Sequence, residues 1–306
     1  MKTVSILILE TSVPAAIVDP RYMFSAVNEF YKSAGHQPFF KIQLVGLTKE
    51  VKLNDGLFTV HPDVLLKDVK KTDLIIIPAI GGDVKLAIKK NKDFLPWIVQ
   101  QYKGGAEVAS LCIGAFILAS TGLLKDKECS THWLFTNDFK EMFPDVKLVS
   151  DKTVAAQNGL YSSGGATSYW TLLLYLVEKY TSREMSIMAS KFCLLDMGRK
   201  SQSPFVMFRG QKDHEDCEIV MVDELADKYG IGRRTFERRF KKATSNTVVE
   251  YMQRVKMEAA KKQLESGRKT VSEVMHDVGY ADTKAFRDVF KKVTGMSPVD
   301  YRAKYN

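Results

Sequence analysis

The strongest constraint on this chain is that its last third is written twice. VDELADKYGI at 222–231 aligns with VSEVMHDVGY at 271–280 at an offset of 49. RRTFERRFKKATSNTVVEY then aligns with TKAFRDVFKKVTGMSPVDY at an offset of 50. Glu224 meets Glu273, Leu225 meets Val274 and Gly230 meets Gly279. Phe236 and Phe240 meet Phe286 and Phe290, Thr244 meets Thr294, and Tyr251 meets Tyr301. The offset changes inside a turn, where an added residue breaks no helix.

Each copy reads as helix, tight turn, helix. In the first, Leu225 and Tyr229 are four apart and share a helix face. Gly230 follows where a left-handed residue ends a helix. Ile231 fills the angle, and Phe236 and Phe240 anchor the second helix. The second copy repeats this with Val274, Val278, Gly279, Tyr280, Phe286 and Phe290, and opens with T-V-S-E at 270–273, a capping-box pattern. The joining segment TVVEYMQRVKMEAAKKQLES predicts a helix with Val248, Tyr251, Met252, Val255, Ala259 and Leu264 on its apolar side. Its ~18 residues span ~27 Å, near the ~34 Å between major-groove faces on one side of B-DNA. Such a strut can set two helices into adjacent grooves.

Charge agrees with this. Residues 218–306 hold 19 Lys+Arg against 13 Asp+Glu, an excess of six out of the chain's net +9. A basic excess favours polyanions. The exposed positions of the second helices are the candidate readers: Arg233, Arg234, Glu237 and Arg238 in copy one, and Thr283, Lys284, Arg287 and Asp288 in copy two. Arginine can hold a guanine edge bidentately or clamp phosphate, and glutamate can accept from cytosine. Lys241, Lys242, Lys291 and Lys292 fall at helix ends and suit phosphates. A charged helix face by itself is ordinarily solvated surface. The repeat with its matched glycines and phenylalanines is what points to double-stranded DNA as partner.

These residues resemble a known family. ELADKYGIGRRTFERRFKKAT, YMQRVKMEAAKKQLE and VSEVMHDVGYADTKAFRDVFKKVTGMSPVDYR resemble the AraC/XylS-type regulators over about 85 residues. The resemblance implies transcription regulation. Two positions depart from the pattern: Thr244-Ser245-Asn246 stands where T-G is usual, and Gly232 stands where a serine cap is common.

The first two thirds has another texture. VSILILE (4–10), DLIIIPAI (73–80) and AEVASLC (106–112) are continuous apolar runs, as in strands buried on both faces of a parallel sheet. RYMFSAVNEFYKSAG (21–35) and DFLPWIVQQYKGG (93–105) are helical patterns between them. The expectation is a doubly wound α/β domain followed by an all-α domain with two helix-turn-helix motifs. The opening MKTVSILILETSVP reads as a first strand rather than a signal peptide, because Glu10 interrupts it. No apolar run approaches the ~20 residues of a membrane span. Cysteines at 112, 129, 193 and 217 form no C-x-x-C and no zinc spacing. A reduced cytoplasm, with no cofactor, no metal and no membrane, is therefore expected.

One site in this region could carry chemistry. The strand 106–111 runs into Cys112, and IGAFILASTGLL continues as a helix. That places a thiol at a nucleophile-elbow turn, where a helix amino terminus favours thiolate. His132 follows in STHW. Two readings stay open: a nucleophile activated by His132 and acting on an amide, or a small-molecule pocket formed with Ile113. SLCIGAFILA, NGLYSSGGATSYWTLLLYLVE and RKSQSPF make residues 4–205 resemble the class I glutamine amidotransferase-like, PfpI-type (flavodoxin-like) fold, in the version fused to AraC-type modules. In enzymes of that superfamily an acid lies near the first strand. The matching position here is near Ala15 or Ala16, so the resemblance implies no catalysis, with a small-molecule effector instead and a homodimer. The expected limits are 1–205 for the sensor domain, 206–217 for a polar linker, and 218–306 for the DNA-binding domain.

Overall fold

The computed structural model describes residues 1–198, 201–206, 230–244 and 246–306. Two compact units emerge, Met1–Gln202 and Ser203–Asn306. The expected sensor limit at 205 lies three residues past this division, and the expected linker falls, apart from Val206, outside the described residues.

The first unit is built on a seven-stranded sheet. In chain order its strands are β1 (Lys2–Leu7), β2 (Phe40–Gly46), β5 (Val64–Leu65), β6 (Leu74–Ile77), β7 (Glu107–Ser110), β10 (Val154–Gln157) and β11 (Leu160–Ser163). The pairs β3 (Val51–Leu53) with β4 (Phe58–Val60), and β8 (Glu128–Cys129) with β9 (Lys147–Leu148), stand apart. The sheet order is β10-β11-β7-β6-β1-β2-β5. Every pairing is parallel except β10 with β11, so the sheet is mixed, with one antiparallel edge that the apolar runs did not announce. A hairpin at 158–159 reverses the chain there, and its residues Asn158 and Gly159 both have positive φ.

All four residues of β6 are buried. Each fully buried aliphatic side chain contributes about 1.5–3 kcal/mol. Among the described residues of the unit, seven α-helices cover the sheet: α1 (Ala15–Ser33), α2 (Val84–Lys90), α3 (Phe94–Lys103), α4 (Ala115–Ser120), α5 (Thr136–Met142), α6 (Ser168–Tyr180) and α7 (Arg183–Phe192). Helices α1, α6 and α7 pack together, and α2 and α3 pack on α4. This is the doubly wound α/β arrangement. Helix α1 starts six residues before the expected 21, with Pro20 inside it. Proline lacks the N–H that would bond back to Ala16, which makes it a poor boundary signal when tertiary packing holds the helix. Residue 19 thereby becomes helical.

The second unit contains α8 (Arg233–Thr244), α9 (Val248–Glu265), α10 (Val271–Asp277), α11 (Thr283–Thr294) and α12 (Pro298–Tyr305). The strut is α9, 18 residues long as expected. The expected capping box at Thr270 and Glu273 is present, and Thr247 with Glu250 forms a second one. Gly230 and Gly279 have φ of +60° and +75°, so both turns need the left-handed conformation that glycine adopts without penalty.

The sequence repeat is also a packing repeat. Phe236 and Phe240 lie 5.7 Å apart, as do Phe286 and Phe290. Tyr251 meets Phe240 edge-on at 5.2 Å, and Tyr301 meets Phe290 edge-on at 5.4 Å. Thr244 Oγ1 donates to the Phe240 carbonyl at 2.8 Å, and Thr294 Oγ1 to that of Phe290 at 2.7 Å. Leu225 and Tyr229 lie outside the described residues.

Candidate nucleic-acid interface and sensor site

Helices α8 and α11 bury one stripe and expose the rest. Phe236 holds α8, and Phe286 with Phe290 holds α11. Because side chains three and four apart share a face, the residues between these anchors point outward. Arg233, Arg234, Glu237, Arg238, Lys241 and Lys242 are all exposed, and so are Thr283, Lys284, Arg287, Asp288, Lys291 and Lys292. The lysine pairs fall in the last turns of the two helices. Arg239 is exposed as well. It was not among the expected readers, and its counterpart in the second copy is the half-buried Val289. Arg233 Nε donates to Glu237 Oε1 at 3.0 Å, an exposed i,i+4 pair that adds little stability. Asp282 caps α11 by accepting from the Ala285 N–H at 2.5 Å. Lys256 of the strut donates to the Gly279 carbonyl at 3.4 Å and lies 5.2 Å from the centre of the Tyr280 ring. The strut is thus tied to the second turn.

In the first unit, β7 runs through Leu111 to Cys112, which takes φ +54° before a 3-10 turn, Cys112–Gly114, and then α4. The elbow is therefore present, with a non-glycine residue in the left-handed region. Ile113 is buried beside it. The loop after β11 is the other half of the site. Ser163 Oγ accepts from the Cys112 N–H at 3.0 Å, and the backbone N–H of Ala166 reaches the thiol. Thr131 Oγ1 donates to the Cys112 carbonyl at 3.2 Å. The half-buried His132 ring lies against Gly165, where an added Cβ would come within 2.4 Å of the ring. Cys112 and His132 thus meet one loop, 163–166, from chain positions up to 54 residues apart, with Ile113 buried next to Cys112 in the chain.

The surroundings of Cys112 work against the expected thiolate. Burial pushes the Cys112 thiol above its ordinary value, and the N–H groups of Ala166 and Ile113 oppose this only in part. Helix α4 is six residues long, too short for its dipole to offset desolvation. Burial likewise lowers His132. Its Nδ1 accepts from the Leu134 N–H at 3.1 Å, so the proton of the neutral ring sits on Nε2. Both shifts work against the charged forms that an activated thiolate–imidazolium pair would need.

Two further residues escaped sequence reasoning. Asp19 stands one turn beyond the position where the superfamily acid was expected, and Tyr169 donates to its Oδ2 at 2.5 Å. Burial and then Asp19 raise the Tyr169 hydroxyl, which also lies within the field of Cys112. The two residues are 150 apart, and no local pattern joins them.

The neutral pair has a pH signature. The fold lowers His132 from 6.5, so it favours the neutral ring. That contribution is present above pH 6.5 and is lost as pH falls through the lowered value. The raised Cys112 acts oppositely, losing its contribution as pH rises above 9.0. Thermal unfolding of this unit is expected to fall between about pH 7 and about pH 5, and His132→Gln to flatten that part of the profile. An unchanged slope in the variant would remove His132 from the account.

Comparison with known proteins follows the same division. Residues 8–179 match the DJ-1/PfpI family, and residues 225–304 match the family described as Helix-turn-helix domain. The HTH-type transcriptional regulator GbdR of Pseudomonas aeruginosa is 24% identical over 269 residues, covering 83% of this chain and 72% of its own length. The Xylose operon regulatory protein of Escherichia coli is 33% identical over 86 residues, covering 28% of this chain and 22% of its own. The structure of an AraC family transcriptional regulator from Pseudomonas putida aligns with a TM-score of 0.53 at 17% identity, covering 63% of this chain and 100% of that one. At that identity the likeness shows the fold alone.

Proposed function

The chain belongs to the DJ-1/PfpI family and is a DNA-binding transcription regulator of the AraC type, and from that premise we propose that a small molecule bound at the Cys112–His132 site sets its affinity for DNA. The observation that carries this reading is the loop 163–166, on which Cys112 and His132 converge in surroundings that disfavour the charged form of each. A site so arranged suits binding better than attack on a carbonyl. The alternative, a Cys112-dependent amide hydrolase, draws on the elbow geometry but lacks an activated nucleophile. Cys112→Ala separates the two: a sensor keeps DNA binding and changes its effector response, whereas a hydrolase loses turnover.

In this reading Arg233, Arg234, Glu237, Arg238, Thr283, Lys284 and Arg287 face base edges, and the four lysines at the helix ends face phosphates. The protein acts in the cytoplasm as a homodimer. Among the described residues no helix is long and apolar enough to cross a membrane. The domain limits proposed are 1–205, 206–217 and 218–306.

The test is capture of genomic DNA by the purified full-length chain, with a motif search and a salt titration. The expected motif has two half-elements about one helical turn, ~10.5 bp, apart. A homodimer further requires two copies of it per site. Salt-sensitive binding with no shared motif would leave the basic charge as a general polyanion surface and withdraw the sequence-reading claim.

A further inference from the structure

Gln202 is the last residue of the first unit, and its side chain is almost completely buried, at 2% exposure. Its Nε2 donates to the carbonyl of Thr131 at 2.9 Å and to that of Ser150 at 2.7 Å. Its Oε1 accepts from the Gly165 N–H at 3.1 Å. The backbone N–H donates to the Asp151 carbonyl at 2.9 Å. A Cβ on Gly164 would come within 2.9 Å of the amide, so the glycine there is what lets Gln202 approach. One side chain therefore ties the residue before His132 to the loop that touches both His132 and Cys112. A buried amide with its donors and acceptor all engaged fixes the spacing of the loops it joins, because each lost bond costs the desolvation of its partner.

The next four residues are held in the second unit. The turn Ser203–Phe205 packs on α11. The Phe205 ring meets Tyr305 edge-on at 6.4 Å, with Lys304 Nζ 5.6 Å from its centre. Lys261 of the strut, 4% exposed, donates to the Val206 carbonyl at 2.7 Å and to Glu258 at 3.0 Å. A buried lysine committed to a main-chain carbonyl is a costly arrangement unless that carbonyl stays in place.

We propose that Gln202 is a positioning residue of the Cys112–His132 site and that Ser203–Val206 carries the state of that site to the second reading helix. This rests on the regulator reading above. Only two residues separate the amide that holds loop 163–166 from the ring that packs in the helical unit. A ligand that shifts the loop acts on the Gln202 bonds and, through the two intervening residues, on the segment anchored by Phe205 and Lys261. Coupling of this kind is reciprocal, so DNA on α11 must also act on the loop.

That reciprocity gives a test that needs no known effector. Cys112 is 7% exposed, so a thiol reagent reaches it only when loop 163–166 opens. Iodoacetamide labelling of Cys112 in the full-length protein is followed by mass spectrometry, with and without the captured operator DNA, and the half-exposed Cys193 serves as the internal control. Operator DNA is expected to slow Cys112 labelling by about fivefold or more and leave Cys193 unchanged. Gln202→Ala is expected to label fast in both conditions. Should that variant fail to fold, insertion of two glycines between Gln202 and Ser203 keeps both anchorages and decides the matter: DNA affinity within about twofold of wild type, with labelling no longer responsive to DNA. Equal labelling of the wild type with and without DNA, or an insertion variant that responds as the wild type does, overturns the proposal. Failure of the wild type to bind any DNA overturns the regulator reading itself.

Discussion

Phe286→Ala is expected to cost about 3–5 kcal/mol of the stability of the helical unit and to abolish specific DNA binding. The ring is completely buried, 5.7 Å from Phe290 and 5.6 Å from Tyr280, in a cluster with Met257, Leu264, Val274 and Tyr301. Removing it leaves a cavity where α10, α11 and the strut meet, and a unit of this size has only about 5–15 kcal/mol in total. Its counterpart Phe236 is also buried and, among the described residues, packs with Val248 and Phe240, so Phe236→Ala is expected to destabilise the first copy in the same way. Urea unfolding of the full chain, followed by a signal from the helical unit, measures both. A loss below about 1 kcal/mol for Phe286→Ala would mean that the repeat's phenylalanines are not the anchors described here.

The second large effect is on affinity rather than stability. Arg238→Ala and Arg287→Ala are each expected to weaken binding to the captured motif by about 1–3 kcal/mol, and to relax selectivity at the base each one reads. Because both side chains are exposed, unfolding should change by less than about 0.5 kcal/mol. Lys292→Ala provides the contrast: a phosphate contact weakens all sequences alike and lowers the salt slope by about one. The two copies do not present the same chemistry. Glu237-Arg238 in copy one stands where Arg287-Asp288 stands in copy two, so the two half-elements of the motif should differ in sequence. If neither arginine variant changes affinity at matched salt, α8 and α11 are not the reading helices.

The helical unit was legible because its signals are local. A capping box spans four residues, a helix-ending glycine occupies one position, and the phenylalanines stand four apart. Each can be read before anything is known of the chain's path, and repetition 50 residues on multiplied the information. Arg239 stands between Arg238 and the anchoring Phe240, and only the helix orientation in the fold shows that its side chain is exposed. In the first unit, the apolar runs announced β1, β6 and β7 for the same reason. They overstated strand lengths, since a run such as 73–80 stays buried after its ladder ends at Ile77.

The sensor site lay largely beyond the sequence. Cys112 could be placed at an elbow from the strand–helix pattern, but its protonation could not. A thiol's preference depends on all the atoms that keep water from it, and burial there outweighs the two N–H donors. The same holds for Asp19 with Tyr169, and for Gln202 with Thr131, Ser150 and Gly165. These partners are between 37 and 150 residues apart and meet only because the sheet order carries them to one end of the unit. Thus the amino-acid sequence by itself determined the two helix-turn-helix copies, the strut between them, the faces they expose and the α/β class of the rest, because short-range hydrogen bonding and side-chain periodicity act within a few residues. Tertiary structure alone decided the antiparallel edge, the neutral thiol and the clamp around loop 163–166, because desolvation and long-range hydrogen bonding depend on which distant segments the fold brings together.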